Sequence, residues 1–183
     1  MKIEKYRARV HMLLLYPDCE PHVKALEIIK QSYDYAMILH DKDCDEHGEL
    51  KKEHWHVVLR FNQAVWSSAI IKELGIEANY IEKVGNVNNA LEYLIHYNDP
   101  DKYKYDISEV HGTLRTKLAE SIAKSEKTEG EKVIELIEFI EAQEGKVAVK
   151  DFARYCAESG YWAEFRRSGA IFMNIINEHN AQF

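Results

Sequence analysis

Short apolar runs separated by polar turns dominate the first part of the chain, a pattern typical of β-strands. The first run stops at the turn residues Pro17 and Asp18. A polar loop over residues 41–52, which contains Gly48, separates two later runs and predicts that they pair as a β-hairpin. The strands predicted in this way cover residues 6–16, 35–40, 54–61 and 76–84.

Helices are predicted between these strands, where apolar residues recur every three or four positions. Pro21 suits the first turn of one helix. Ser67 and Ser68 offer N-cap hydroxyls for a second helix, residues 69–74, which Gly75 would end. An asparagine cap predicts a third helix within residues 85–97.

The order of these elements is strand, helix, strand, strand, helix, strand, helix. This order predicts an α+β fold in which helices lie on one face of a mainly antiparallel central sheet. The other face of the sheet is then expected to be open.

The second part of the chain has helical periodicity only. Residues 118–130 are small, polar and charged, and predict a linker. Three short helices are predicted beyond it, within residues 131–143, 149–158 and 162–178. The domain prediction is therefore a domain over residues 1–118, a linker over 119–130 and a small helical bundle over 131–183.

The bundle has two interpretations. It could assemble subunits into a homo-oligomer, or the turn at Ser159 and Gly160 could belong to a helix-turn-helix that reads duplex DNA. Assembly is favoured because the flanking helices carry more glutamate than lysine or arginine.

Length and composition narrow the class of protein. The 183 residues contain no apolar run long enough to span a membrane and no recognisable export signal, so a soluble, cytoplasmic protein is expected. The three cysteines, Cys19, Cys44 and Cys156, show no paired spacing, which suits a reducing compartment and argues against a structural zinc site.

The formal net charge of −7 argues against non-specific binding to duplex DNA through a basic surface. Residues 1–120 carry 16 Lys and Arg against 20 Asp and Glu, and the remainder carries 8 against 11. Any contact with nucleic acid must therefore be local. The basic clusters that could supply it are Lys2, Lys5, Arg7 and Arg9, and Lys51, Lys52 and Arg60.

The run His54-Trp55-His56 carries the clearest chemistry. The period of two of a β-strand sends His54 and His56 to the same face. If the hairpin forms, His40 and Asp43 arrive opposite them, which gives three imidazoles and one carboxylate around a point. Such donors favour a divalent ion such as Mn²⁺, Zn²⁺, Co²⁺ or Ni²⁺ over the all-oxygen shell that Mg²⁺ prefers.

A calcium loop is the alternative use of the acidic residues between Asp41 and Asp45. It fails because Glu46 occupies the position that needs glycine, and Lys52 occupies the position of the bidentate glutamate.

The predicted helix within residues 85–97 places Tyr93 with His96 and Tyr97, largely off its apolar stripe. An exposed phenol beside a metal could attack a phosphodiester, and His96 could accept its proton. The alternative is that Tyr93 is a half-buried residue with a structural role.

Lysine and tyrosine alternate from Lys102 to Tyr105. This segment could stack bases and hold phosphates, or it could be a final edge strand. Five cations are candidate DNA contacts: Lys51, Lys52, Arg60, Lys102 and Lys104.

Taken together, these motifs resemble the HUH endonuclease superfamily, and within it the replication initiator (Rep) proteins of small rolling-circle plasmids of Gram-positive bacteria. The resemblance covers roughly residues 5–110. The motifs that carry it, in the order in which that family has them, are Leu15-Tyr16-Pro17, His40-Asp41-Lys42-Asp43, His54-Trp55-His56, Tyr93-Leu94-Ile95-His96 and Lys104-Tyr105-Asp106.

The resemblance implies three roles for the residues of these motifs. His54 and His56 would be the metal-binding pair, His40 and Asp43 the upstream ligands, and Tyr93 the nucleophile. Proteins of this family have an HUH, ferredoxin-like fold and nick one DNA strand at the double-strand origin. They form a 5′-phosphotyrosine and leave a 3′-OH primer, and strand transfer later reseals the DNA.

The resemblance also implies partners and a cofactor. Mn²⁺ is the favoured ion, with Mg²⁺, Co²⁺, Ni²⁺ or Zn²⁺ as alternatives. The DNA would be single-stranded or a hairpin, host helicase and polymerase would act on the nicked plasmid, and the bundle would form an oligomer. Tyr97 as a second nucleophile is an alternative to the family's single tyrosine.

Two other classes of function remain open from the residues alone. One is a mobilisation relaxase or single-tyrosine transposase, which shares the chemistry. The other is a non-catalytic, metal-dependent DNA-binding regulator.

Overall fold

A computed structural model describes residues 6–183, so Lys2 and Lys5 of the first basic cluster lie outside the described residues. The chain divides into two compact units, residues 1–120 and 121–183. Within the described part of the chain, none of the helices combines the length and the apolar character that crossing a bilayer requires.

The first unit has the order β1-α1-β2-β3-α2-β4, followed by α3. All neighbouring strands are antiparallel, in the sheet order β2-β3-β1-β4. This is the ferredoxin-like arrangement, and the α+β prediction is confirmed. The elements are β1 (Arg7–Leu15), α1 (Glu20–Ser32), β2 (Asp34–His40), β3 (His54–Trp66), α2 (Ser67–Leu74), β4 (Ile81–Lys83) and α3 (Val87–Leu94).

The main core lies on the sheet face against which α1 and α2 pack. Val57 and Leu59 of β3 point to this face, as the period of two predicts. They meet Leu26 and Ile29 of α1 and Ile70 of α2, all buried. Burial of this apolar surface makes the sheet a rigid support for the side chains on its opposite face.

The opposite face is not open, contrary to the prediction that all helices lie on one face. Helix α3 contacts β2 and β3, and the Tyr93 ring on α3 meets His56, which points away from the main core. His54 and His56 are consequently only 7% and 8% exposed. The apolar stripe of α3, with Leu91 and Leu94 fully buried, had to be covered, and this face was available.

Several predicted boundaries differ from the structure. Strand β3 runs on to Trp66, and Ser67 is therefore the first residue of α2 and not its N-cap; its hydroxyl accepts from the Tyr6 amide at 3.4 Å. Gly75 does end α2, in the left-handed conformation with φ 65°. Residues 118–126 of the predicted linker belong to helix α4 (Arg115–Glu126).

The segment after α3 is not an edge strand. Residues 103–106 are irregular, and a single 3₁₀ turn follows at Ile107–Glu109. The chain is nevertheless tied to the sheet, because His111 and Met37 of β2 exchange backbone hydrogen bonds of 2.8 Å. Gly112 permits this close approach: its φ is 114°, and a Cβ there would lie 2.3 Å from the Tyr35 carbonyl oxygen.

The second unit contains four further helices around its own core. The Thr128 hydroxyl and the Glu131 carboxylate cap the first of them reciprocally. The helix predicted within residues 162–178 is interrupted at Ser168, so this segment forms two helices. The helices are α5 (Glu129–Glu141), α6 (Val149–Ser159), α7 (Trp162–Arg167) and α8 (Gly169–Asn180), and the fully buried residues include Leu136, Ile140, Phe152, Cys156, Tyr161 and Phe172.

Candidate metal and nucleophile site

Three histidines meet on the face of the sheet that α3 covers. His54 and His56 lie on one side of β3, and His40 pairs directly opposite His54 at the end of β2. The ring centroids are 4.9 Å apart for His54 and His56, 4.6 Å for His40 and His56, and 5.6 Å for His40 and His54. We call His40, His54 and His56 the histidine cluster. The hairpin predicted from the sequence brings it together.

Backbone carbonyls fix how two of these rings are oriented. His54 Nδ1 donates to the Lys52 carbonyl at 2.8 Å, which leaves its Nε2 directed at His56 Nε2, 3.2 Å away. His40 Nε2 donates to the Leu94 carbonyl at 2.7 Å, so its Nδ1 faces Asp43 Oδ2 at 3.2 Å. Such carbonyl contacts orient metal-binding histidines, because they leave the lone pair of the second nitrogen free.

Two rings of the cluster, His40 and His56, are uncharged at neutral pH. Burial lowers the pKa of His40, and burial together with the neighbouring imidazoles lowers the pKa of His56 to about 2. Neutral imidazoles present lone pairs, which a cation can accept. Among the described residues, His40 Nδ1, His56 Nδ1 and His96 Nε2 are buried nitrogens without a hydrogen-bond partner.

A divalent ion fits these residues. The ligand atoms of His40, His54 and His56 lie within 4.8 Å of one another, and so do those of His40, Asp43 and His96. The two groups share His40, and neither contains all four of the predicted ligands, because Asp43 is grouped with His96 and not with the histidines of β3. Several imidazoles with one carboxylate are the donors that first-row transition metals accept.

His96 occupies a position that the helical pattern did not predict. Helix α3 ends at Leu94, and His96 has a φ of 54°, in the left-handed region. This turn directs its ring inward, where Nδ1 donates to the Tyr103 carbonyl at 2.8 Å and the side chain is fully buried. The backbone strain of a non-glycine residue here is typical of functional sites.

Tyr93 lies beside the cluster on the same face, as the predicted chemistry requires. Its ring meets His56 edge-on at 5.4 Å between centroids, and the residue is 38% exposed. The ammonium of Lys102 lies 3.4 Å from the phenolic oxygen and 4.7 Å from the ring centre. Asp99 holds that ammonium in turn, at 3.1 Å.

Tyr105 belongs to the site, although the sequence motifs predicted no separate role for it. Its ring stacks on His40 with centroids 4.5 Å apart. Its hydroxyl accepts from the Lys42 amide at 2.9 Å and donates to Asp43 Oδ1 at 3.2 Å, which orients the carboxylate. Its place in the motif Lys104-Tyr105-Asp106 was the available signal.

The residues predicted to contact DNA differ in their exposure and in their hydrogen-bond partners. Lys104 directs its ammonium at three backbone carbonyls, of His96, Tyr97 and Asp99, so it stabilises the turn after α3. Lys51 and Arg60 are exposed. The Tyr97 side chain is half-buried.

Lys52 is exposed as well, but it is held in place. It pairs with Asp18 at 2.7 Å, and its ammonium lies over the Tyr16 ring at 4.8 Å.

The fold and the site together define a class of protein: a βαββαβ unit whose paired histidines lie beneath a tyrosine carried by a helix. The family follows from comparison with known proteins. Residues 3–118 match the family described as plasmid replication protein, origin binding domain, and the chain belongs to this family of plasmid replication initiators.

Individual relatives agree with this assignment. Replication protein RepB of Lactiplantibacillus plantarum is 28% identical over 182 residues, which cover 96% of this chain and 82% of the relative. A replication protein of Staphylococcus aureus is 31% identical over 156 residues, 81% of this chain and 75% of the relative. A replication protein of Onion yellows phytoplasma (strain OY-M) is 37% identical over 93 residues, 44% of this chain and 25% of the relative. The resemblance recognised from the sequence motifs is confirmed.

Proposed function

We propose that this chain initiates rolling-circle replication of a plasmid. It binds origin DNA, nicks one strand at the double-strand origin and later rejoins it, by metal-dependent transesterification through Tyr93. The observation that carries the proposal is the edge-on contact of the Tyr93 ring with His56, which puts a partly exposed phenol beside the histidine cluster.

The reaction balances without an outside energy source. The phenolic oxygen of Tyr93 attacks the phosphorus, the bond between phosphorus and the 3′ oxygen breaks, and the departing oxygen takes up one proton for the one that the phenol gives up. The products are a 5′-phosphotyrosine and a free 3′-OH. Rejoining is the reverse reaction, because the phosphotyrosine conserves the energy of the broken bond.

The protein's own groups prepare the nucleophile. The Lys102 ammonium faces the phenolic oxygen and stabilises negative charge that develops there. The His56 ring limits the positions of the phenol from one side.

The candidate ligands for the ion, with Mn²⁺ favoured, would be His40, Asp43, His54 and His56. Their ligand atoms fall into two groups that share His40, and the second group adds His96 to the candidates. When bound, the ion supplies a Lewis acid that neutralises the non-bridging oxygens of the phosphate.

The rest of the replication cycle needs partners. The sequence has no Gly-rich segment of the Walker type, so we propose that a host helicase unwinds the plasmid and a host polymerase extends the 3′-OH. The second unit exposes Ile134, Trp162 and Ile171, and we propose that it assembles subunits.

A covalent-adduct assay tests this function. Protein, Mn²⁺ and labelled single-stranded DNA carrying the origin hairpin should give a protein–DNA adduct that survives denaturing electrophoresis. Tyr93→Phe should abolish the adduct, whereas Tyr97→Phe should leave it. His56→Ala should lose cleavage and keep its fold, and equal cleavage by this variant would refute the metal's role.

The same assay separates the other functions. Sequence-specific binding without any adduct would establish a regulator in place of an enzyme. An adduct with a transfer origin or a transposon end, but none with the replication origin, would establish a relaxase or a transposase.

A further inference from the structure

Two tyrosine–lysine pairs lie on different sides of the histidine cluster. Tyr16 and Lys52 lie next to His54, where the Tyr16 and His54 ring centroids are 6.3 Å apart. Tyr103 and Lys42 lie beyond His40, since the Tyr103 ring contacts Tyr105 at 4.9 Å, and Tyr105 stacks on His40. The centroid distances along the series Tyr16, His54, His40, Tyr105 and Tyr103 set an upper limit of about 21 Å on the separation of Tyr16 and Tyr103. A few nucleotides of single-stranded DNA can span this distance.

The two pairs have the same construction. In each, the lysine ammonium lies 4.8 Å from the centre of the tyrosine ring. In each, a carboxylate holds the ammonium: Asp18 contacts Lys52 at 2.7 Å, and Glu109 contacts Lys42 at 3.7 Å. A ring and a cation are therefore kept together at the surface.

The rings are positioned and accessible. Tyr103 is 46% exposed. Tyr16 is half-buried, and its amide donates to His22 Nδ1 at 3.0 Å, which fixes the chain where β1 ends. The lysine side chains are 43% exposed for Lys42 and 58% for Lys52, so each ammonium can turn from its carboxylate to a phosphate.

We infer that these pairs are two binding subsites for single-stranded DNA, one on each side of the histidine cluster. At each subsite a base stacks on the tyrosine ring in place of the ammonium, and the displaced lysine contacts a neighbouring phosphate. Aromatic rings next to cations bind single strands in this way, because every base has a π-face. Naming the ligand as DNA rests on the proposed function.

This arrangement explains how a chain with a net charge of −7 can hold an anion. Affinity comes mainly from stacking, and only a few ammonium groups meet phosphates. The carboxylates that occupy these lysines in the free protein are replaced by phosphates in the complex.

The test uses binding alone, in the presence of EDTA, so that it does not depend on nicking. Two labelled probes of equal length are compared by fluorescence anisotropy: an oligodeoxythymidylate, and the same backbone with every base removed. The full chain should bind the first probe at least about tenfold more tightly, since only that probe has bases that can stack on the tyrosine rings.

Tyrosine variants give the decisive result. Tyr16→Leu and Tyr103→Leu should each weaken binding of the oligodeoxythymidylate about tenfold and leave binding of the base-free probe unchanged. Tyr16→Phe and Tyr103→Phe keep the ring and should bind both probes as the wild type does. Trp66→Leu removes an aromatic residue that is 51% exposed at the other end of β3, and it should change neither affinity.

Lysine variants test the second contact. Lys42→Met and Lys52→Met should weaken binding of both probes, because the phosphates are common to them.

Two outcomes would overturn the inference: leucine variants that bind the oligodeoxythymidylate like the wild type, or that lose equal affinity for the two probes. The covalent-adduct assay is scored separately. If the adduct forms and the leucine variants bind the oligodeoxythymidylate like the wild type, the subsites are rejected and the proposed function stands. If no adduct forms and the leucine variants lose affinity as expected, the proposed function is rejected and the subsites stand.

Discussion

The Nδ1 atom of His40 faces a carboxylate oxygen of Asp43 at 3.2 Å. The His40 proton is on Nε2, where it is donated to the Leu94 carbonyl, and burial lowers the pKa of the ring. Two acceptors therefore face each other without a proton between them. A cation bound at this point removes the conflict, which is a physical reason to expect a metal there.

Asp43→Asn should separate the two roles of this contact. An amide can donate to His40 Nδ1, so the metal-free variant should melt at the same temperature as the wild type or higher. Its affinity for Mn²⁺ should fall about tenfold or more, and the stabilisation by added Mn²⁺ should shrink accordingly. Thermal melts with and without Mn²⁺ measure both effects.

Asp41→Asn is the matched control, because it removes the same charge from an exposed residue nearby. Equal stabilisation of Asp43→Asn and wild type by Mn²⁺ would show that Asp43 is not a ligand.

Lys102→Met should slow formation of the covalent adduct. The ammonium lies 3.4 Å from the Tyr93 oxygen, and its loss removes stabilisation of the charge that develops there. We expect the single-turnover rate to fall about tenfold or more with little change in KM, and Lys102→Arg to restore part of the rate. Quenched-flow or gel time courses at saturating DNA provide the rate.

Lys72→Met, in the last turn of α2, controls for the loss of one positive charge. If it slows the reaction as much as Lys102→Met does, the effect is one of net charge and not of the contact with Tyr93.

Acid should destabilise the metal-free protein through His11. This ring is fully buried, and burial lowers its pKa, so the unfolded chain binds a proton more readily than the folded one. The contribution of the neutral His11 ring to the free energy of unfolding is complete above about pH 6.5. It falls by up to about 1.4 kcal/mol per pH unit below that value.

Urea denaturation between pH 7 and pH 5 measures this loss. His11→Gln cannot bind the proton and should show a shallower pH dependence than the wild type. An unchanged dependence would mean that other groups account for the acid sensitivity.

Salt should weaken binding of single-stranded DNA only modestly. Lys42 and Lys52 are the cations of the two subsites, and each phosphate contact contributes about −0.7 to the slope of log K against log salt. A slope of about −1.4 is expected, and Lys42→Met should reduce its magnitude by about 0.7. A slope several times steeper would show that charge, and not stacking, holds the strand.

Local pattern was sufficient to predict much of the site. The period of two along β3 put His54 and His56 on one face, and the hairpin placed His40 opposite His54. Both inferences use nearest neighbours in sequence or across one turn, where strand geometry leaves few alternatives. The motifs around Tyr93 were specific enough to identify the family.

Contacts between segments that are distant in sequence could not be predicted from the pattern of hydrophobic and polar residues. The sequence predicted His96 beside Tyr93, but His96 meets His40 and Asp43 only because α3 ends early and the chain turns through a left-handed residue. Tyr105 reaches Asp43 across 62 positions of sequence. Helix α3 closes the face that was expected to be open because its apolar stripe needs a partner, and sequence cannot show which surface remains free.

The sequence by itself thus determined the strands, the family, the histidines of β3 and the exposed tyrosine, since each depends on local geometry. Tertiary structure alone decided the burial that lowers the pKa of His40 and His56, the lysine that meets the phenol and the rings that surround the cluster. Burial and charge pairing are properties of packed neighbours, and the neighbours here come from separate parts of the chain.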